Sequence, residues 1–408
     1  MSATTFRTEF LGCKVALADA QLIRERLLDD GHSEAAETPA VQVVTTCCVT
    51  QEAVAKSRKA VRRAARDAET VYVTGCAANL EQDAFADMPA NVQVVRGRPE
   101  PVADAVSAAI GATGCTGGAA PAFVRTRAYL KVQDGCSFGC SYCVIPAVRG
   151  QSRSREAAPI LAEAARRAAQ GHRELVLTGI NLGCYRDREH RMDLAGLLEA
   201  VAAVDGIERV RLSSIEVNHV NERLLRTVAE TPGVCPHLHV PLQSGSDRVL
   251  AAMRRHYRIE TFLRRLDRAR DLVPGLNLTS DVIVGHPAED DEAFDETLAS
   301  VARAGFSAVH TFPYSPRPGT QDAGINPVPP AAKRHRSERV RELAAAQGRA
   351  RREALLGSRA QVLPEDRRGR GYAADYTAFV VAGAAPGQVV EVVASAAGDD
   401  HLIGTMAA

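Results

Sequence analysis

The sequence predicts an α/β protein in three blocks: an N-terminal doubly wound parallel-sheet domain over 1–118, a central open, partial (β/α)6 barrel over 122–356, and a small antiparallel β-barrel over 357–408. Three observations predict it. Short apolar runs alternate with helix-length amphipathic stretches through the first two blocks, the pattern of parallel strands joined by crossover helices. The second block holds six strand-like runs, where a closed (β/α)8 barrel needs eight. From Gly357 onward the chain turns to small and β-branched residues broken by turns, which suits a compact antiparallel barrel.

At 408 residues the chain exceeds one ordinary domain, and a net charge of +1 argues neither for nor against a nucleic-acid partner. Arginine outnumbers lysine 45 to 5. The ten cysteines are not spaced as a disulfide framework, and no charged-then-apolar leader or long apolar run is expected before the first strand. The expectation is a soluble protein of a reducing cytoplasm with no membrane partner.

In the first block, 6–12, 41–46 and 71–74 read as buried strands, separated by helices over 18–30 and 51–67. Each strand runs into cysteine: Leu11-Gly12-Cys13, Thr46-Cys47-Cys48 and Gly75-Cys76. Strands of a parallel sheet end on one edge, where doubly wound folds place their ligands, so Cys13, Cys47 and Cys76 are expected to converge. A three-cysteine cluster site and three buried strand-end cysteines both remain open. Cys48 beside Cys47 leaves the ligand of that strand open as well. A small, turn-rich stretch over 111–121 reads as a linker, with Cys115 unassigned.

In the second block the strands are expected at 128–133, 174–178, 209–213, 237–242, 276–284 and 308–314. The first leads into Cys136-Ser-Phe-Gly-Cys140-Ser-Tyr-Cys143. Three close thiols with no fourth suggest a metal cluster with one open site, because a structural zinc needs a closed set of four. A zinc site that recruits a distant Cys or His stays as an alternative. Residues 331–356 read as a basic amphipathic helix with Val340, Leu343, Ala350 and Ala354 near one face, ended by Gly357. In the last block, strands are expected at 360–363, 372–381, 388–394 and 402–406. There Arg367, Arg368, Arg370, Tyr372 and Tyr376 supply either an RNA-binding edge or plain packing.

The C-x3-C-x2-C spacing with Tyr142 before the last cysteine resembles the radical S-adenosylmethionine (radical SAM) superfamily. With Leu11-Gly-Cys13-Lys-Val, Thr46-Cys47-Cys48-Val-Thr50 and Thr74-Gly-Cys76 beside it, the whole chain resembles the methylthiotransferase family. That resemblance implies two [4Fe-4S] clusters, an auxiliary one on Cys13, Cys47 and Cys76 and a radical SAM cluster on Cys136, Cys140 and Cys143, and a terminal TRAM barrel that holds tRNA. It implies that Thr178, Gly179 and Asn181 approach the amino group of SAM, Ser214 and Glu216 its ribose, and Ile283, Gly285 and Glu289 its adenine. No catalytic residue beyond these is assigned.

Leu-Gly-Cys-Lys resembles the branch that acts on N6-threonylcarbamoyladenosine at position 37, in the tRNA anticodon loop. Other branches act on isopentenyladenosine or a ribosomal-protein aspartate. The implied reaction draws on an electron donor and a sulfur donor, both unidentified. The chain departs from the family pattern at Ala16, Thr45, His286 and Ala288, which bears on substrate detail. The helix from Lys56 to Arg63 offers cations for RNA phosphate or a solvated face. Arg149, Arg153 and Arg155 are expected either to meet phosphate or SAM carboxylate or to form salt bridges. His237, His239 and His256 read as core or turn residues, and Cys184 and Cys235 as structural.

Overall fold

The computed structural model describes residues 3–35, 37–80, 83–111 and 126–407. Residues 112–121 of the expected linker, Cys115 among them, lie outside the described residues. Two compact units divide the chain: Met1–Ala122 with Asp134–Gln151 and Ser315–Ile325, and Phe123–Gln133 with Ser152–Tyr314 and Asn326–Ala408.

In the first unit, Thr5–Phe10, Ser33–Glu34, Val41–Thr46, Thr70–Gly75 and Val92–Val94 pair entirely in parallel. Numbered along the chain, their spatial order is 2-1-3-4-5. This is a doubly wound order whose direction reverses between the first and third strands, the place where such sheets open a crevice. One face is sealed by Phe6, Ile23, Leu27, Val43, Val102 and Val106. The other is sealed by Val44, Val61, Ala64, Val73 and Ala77, joined by Val144 and Val148 of the cysteine-loop segment. The helices Lys14–Asp29 and Gln51–Asp67 stand where expected. Thr50 caps the second, its hydroxyl accepting from Ala53 N at 3.1 Å.

The second unit carries six parallel strands. Arg127–Lys131, Glu174–Thr178 and Arg209–Leu212 form one run, and His237–His239, Asn277–Val284 and Ala308–Pro313 another. Bridges between Val210 and Val234 and between Ser214 and His239 join the runs. Among the described residues no pairing closes the first strand on the last, so the barrel is open. Leu130, Leu177, Leu212, Phe262, Phe294 and Phe306 fill its core.

The long helix, Pro330–Ala354, turns Val340 inward and packs Leu343 against the core as expected, but not the rest of the expected face. Its buried line runs through Ser337, Val340, Ala344 and Gly348, while Ala350 and Ala354 are exposed. Gly348 allows a close approach: a Cβ there would stand 2.5 Å from Ser307 O.

The terminal strands Arg359–Pro364, Arg370–Ala373, Ala378–Val381, Val390–Ala397 and Leu402–Met406 close into a barrel. Every pairing is antiparallel except that of Ala378–Val381 with Leu402–Met406, which is parallel. The single strand expected over 372–381 is two strands. Asp375 accepts from Thr377 N at 3.0 Å and Tyr376 takes φ +69°, which makes a turn between them. Tyr372 and Tyr376 do not form an outward stacking edge: their rings stack on each other at 4.6 Å, with Arg127 and Arg211 lying over them. Among the described residues, no helix is long and apolar enough to cross a membrane.

Candidate functional site

Three strand ends in the first unit carry cysteine. Gly12 (φ +123°) and Gly75 (φ +93°) turn the chain from strand into helix, placing Cys13 at the N-cap of Lys14–Asp29 and Cys76 at the first position of Cys76–Leu80. Neither glycine can carry a side chain. A Cβ on Gly12 would lie 3.2 Å from Cys47 Sγ, and one on Gly75 would lie 2.7 Å from the backbone of Thr46. Cys13 and Cys47 follow the first and third strands, on either side of the switch point, and Cys76 follows the next strand along. The N–H of Cys47 donates to Ser57 Oγ at 3.1 Å, and that hydroxyl donates to Ala53 O at 2.9 Å. Ser57 is fully buried, and it carries no motif that would have announced it.

Cys48 and Cys47 have different surroundings. The Cys48 thiol is buried beside Cys76, and a shared proton between the two sulfurs pushes Cys48 up and brings Cys76 down. Arg149 assists, with Nε 3.2 Å from Cys76 Sγ. Burial pushes the Cys47 thiol up to about 11. Arg149 is buried and also meets Asp19 at 2.8 Å and Asp134 at 3.1 Å, so it is consumed inside the unit and does not reach outward for phosphate. Arg155 bonds Lys131 O and Glu163, the salt-bridge outcome. The cations of the Gln51–Asp67 helix are largely paired as well: Lys56 with Glu52, Arg58 and Arg62 with Asp87, and Arg63 with Glu9.

Cys136, Cys140 and Cys143 lie half-buried in one loop. Its base is closed by Cys136 N donating to Gly150 O at 3.0 Å, and its inner turn by Cys143 N donating to Cys140 O at 3.1 Å. Phe138 N donates to Cys136 Sγ at 3.4 Å. Among the described residues no group of three His, Cys, Asp or Glu side chains is arranged to hold a single metal ion. A four-iron cubane takes each thiolate on a separate corner. The N–H donors at Cys136 and Cys76 and the glycine-made space at Cys47 fit such thiolate ligation.

In the second unit, polar atoms gather at C-terminal strand ends. Thr178 Oγ1, both amide atoms of Asn181 and Ser213 Oγ are buried without a hydrogen-bond partner. Such atoms cost free energy unless something pairs with them, so they fit a polar ligand such as the amino-acid end of SAM. Asn181 N donates to Gln133 Oε1 at 2.8 Å, and Gly179 lies against the same side chain, where a Cβ would come within 2.9 Å. Gln133 and Ser213 carry no motif that marks them in the sequence. Ser214, the serine expected at the ribose, is half-buried beside the bridge to His239.

Glu216 is ion-paired with Arg255. Ile283 is buried at the end of its strand, and Gly285 N donates to Glu289 Oε1 at 2.6 Å. Arg336 holds the same oxygen at 2.7 Å, yet burial still pushes the Glu289 carboxyl up. His237 and His239 share Thr279 Oγ1 at 3.0 Å, and His239 Nε2 lies 3.2 Å from Asp281. Cys184 Sγ lies 3.6 Å from His219, and Cys235 is buried.

Residues 130–301 match the family model of the radical SAM superfamily, and residues 5–97 match that described as uncharacterized protein family UPF0004. A protein of Chlamydia pneumoniae named threonylcarbamoyladenosine tRNA methylthiotransferase MtaB is 37% identical over 88% of this chain and 87% of its own length. The chain belongs to the radical SAM tRNA methylthiotransferase family. The protein of the same name from Thermotoga maritima is 34% identical, covering 88% of this chain and 86% of its own. A tRNA-2-methylthio-N(6)-dimethylallyladenosine synthase of Mycolicibacterium vanbaalenii is 34% identical over 98% of this methylthiotransferase and 84% of itself. Among solved structures, the radical SAM methyltransferase TsrM from Kitasatospora setae, with cobalamin and a [4Fe-4S] cluster bound, shares the fold. Its TM-score is 0.58 at 15% identity, covering 79% of this chain and 77% of that one. As a radical SAM enzyme, this methylthiotransferase uses SAM and iron–sulfur clusters as cofactors, and its substrate is tRNA.

Proposed function

We propose that this methylthiotransferase adds a methylthio group to C2 of N6-threonylcarbamoyladenosine at position 37 of tRNA. The observation that carries the substrate is the match to proteins named for threonylcarbamoyladenosine, at 34–37% identity over most of the chain, together with Leu11-Gly-Cys13-Lys14. Cys13, Cys47 and Cys76 are read as ligands of an auxiliary [4Fe-4S] cluster, and Cys136, Cys140 and Cys143 as ligands of the radical SAM cluster. When bound, these groups and SAM supply the radical, sulfur and methyl chemistry that acid–base residues cannot supply at an aromatic carbon.

The chain's own residues bind and aim. Cys48 and Arg149 favour the Cys76 thiolate, the form that ligates iron. Thr178, Gly179 and Asn181 offer polar atoms and close backbone to the amino-acid end of SAM. Ser214 and Glu216 are read as facing its ribose, and Ile283, Gly285 and Glu289 its adenine. Glu289 acts there as a brace on the Gly285 turn, being held by Arg336.

A base in an anticodon loop leaves its stack at modest cost, and an open barrel suits its entry. Domain limits at 1–118, 122–356 and 357–408, a TRAM role for the last, a cytoplasmic setting, and external electron and sulfur donors complete the reading.

The match to the dimethylallyladenosine synthase over 98% of the chain favours a second reading, in which the base carries an isopentenyl-type group. Mass spectrometry of nucleosides from tRNA of cells with and without this gene separates the two. Loss of the methylthio form of threonylcarbamoyladenosine is expected. Loss of the methylthio isopentenyl nucleoside alone would select the second reading. Metal analysis after anaerobic reconstitution should give about eight irons per chain; zinc without iron would defeat both readings.

A further inference from the structure

Arg149 closes the short helix Ile145–Arg149 that follows the Cys136–Cys143 loop, and the residue is 8% exposed. Its three nitrogens go to three separate parts of the first unit. Nη2 lies 2.8 Å from Asp19 Oδ2, on the helix that starts beside Cys13. Nη1 lies 3.1 Å from Asp134 Oδ1, two residues before Cys136, and the same oxygen accepts from Gly135 N at 2.7 Å. Nε lies 3.2 Å from Cys76 Sγ. A planar, always-charged fork can serve three acceptors at fixed angles, which a lysine ammonium cannot.

We propose that Arg149 is a positioning residue for sulfur insertion: its N–H···S bond sets the electronic environment of the cluster on Cys13, Cys47 and Cys76, and its ion pairs tie that site to the loop of Cys136, Cys140 and Cys143. This rests on the ligand reading given under the proposed function. A hydrogen bond to a ligating sulfur draws charge from it and raises the reduction potential of the cluster. Through Asp19 and Asp134, the same side chain holds the start of the Cys13 helix and the root of the Cys136 loop, so one group sets both the potential and the registration of the sulfur-bearing site.

The test uses the chain carrying Cys136→Ala, Cys140→Ala and Cys143→Ala together, reconstituted with iron and sulfide. Its single remaining cluster is titrated by electron paramagnetic resonance, with and without Arg149→Lys. A more negative potential in the Arg149→Lys protein is expected at unchanged iron content. In the otherwise native chain, methylthio product per 5′-deoxyadenosine formed should fall about 10- to 100-fold, the usual effect of losing an outer partner of a metal ligand.

An unshifted potential or an unchanged product ratio overturns the proposal. Should Arg149→Lys not fold, Arg149→Met combined with Asp19→Asn removes the N–H···S bond and its buried ion pair together, without touching a cysteine or leaving Asp19 as an unpaired anion. The same negative shift then supports the proposal and its absence overturns it. Failure of the triple-alanine chain to bind iron is a different result, since it removes the auxiliary-ligand reading itself and the inference with it.

Discussion

Asn181 and Glu289 are both proposed SAM contacts, but they hold opposite energetic positions in the structure. The side-chain amide of Asn181 is buried with neither atom hydrogen-bonded, so Asn181→Ala breaks no side-chain hydrogen bond and should leave thermal stability nearly unchanged. If SAM supplies the missing partner, the substitution should weaken SAM binding by about tenfold, the worth of one net hydrogen bond at about 1.4 kcal/mol. Calorimetric titration of the reconstituted protein measures it, and an unaltered affinity would remove Asn181 from the site. Glu289 holds both Gly285 N and Arg336, so Glu289→Ala should unfold at lower denaturant whatever it does to SAM. The cysteines separate in the same way. Cys13→Ala or Cys76→Ala should spare SAM cleavage and abolish sulfur insertion, and Cys140→Ala should abolish both. Equal cleavage of SAM by the Cys140 variant, read as 5′-deoxyadenosine released, would contradict the division of roles.

Among the elements, those with a continuous apolar run or a spaced apolar face were legible, and those defined by partners were not. Val41–Thr46 is buried at every position and stands out in the sequence, whereas Ser33–Glu34 is two exposed residues whose only mark is their pairing with Thr5–Phe10. The cysteine motifs were legible because chemistry demands that spacing. Ser57 and Gln133 were not, since each acts through a residue elsewhere in the chain, and Ser213 was not, since only its burial without a partner marks it. Glu174 is the clearest case, a carboxylate inside a strand that reads as apolar. Arg211 meets it at 2.9 Å, with Arg209 at 3.7 Å and Arg127 at 4.0 Å. Burial alone would push Glu174 up, but these arginines outweigh it and hold its carboxyl below the ordinary range. A depressed folded value means that the stabilisation is complete above the unfolded pKa of about 4.3 and is lost as pH falls through the folded value. Glu174→Gln should therefore cost about 3–5 kcal/mol at pH 7, by leaving buried cations unpaired. Its deficit should shrink in acid below about pH 4. Urea titrations at several pH values measure the gap, and a constant gap would show that Glu174 is not ionised in the fold.

On the scale of the molecule, the second unit is held together by residues from its two ends. Arg127, at the start of the first barrel strand, pairs with Glu365 of the terminal barrel at 2.5 Å, and Arg211 donates to Ala374 O at 2.9 Å. Tyr372 and Tyr376 stack between these arginines, so the aromatic faces that a single-strand RNA platform would use are spent on joining the two barrels. Arg367, Arg368 and Arg370 remain exposed on the terminal barrel, so the tRNA-holding role proposed for it rests on phosphate binding by these cations. The two groups should then fail differently. Replacing Arg367, Arg368 and Arg370 by alanine should leave the melting temperature unchanged and lower tRNA affinity. The slope of log K against log salt should fall by roughly 0.7–0.9 for each phosphate no longer neutralised. Tyr376→Ala should lower the melting temperature and leave that slope intact, because it removes a ring packed against Tyr372 and Arg211 and not a counter-charge to RNA. A Tyr376 variant that melts normally but loses tRNA would return the aromatic pair to the RNA surface and take away its role as the joint between the barrels.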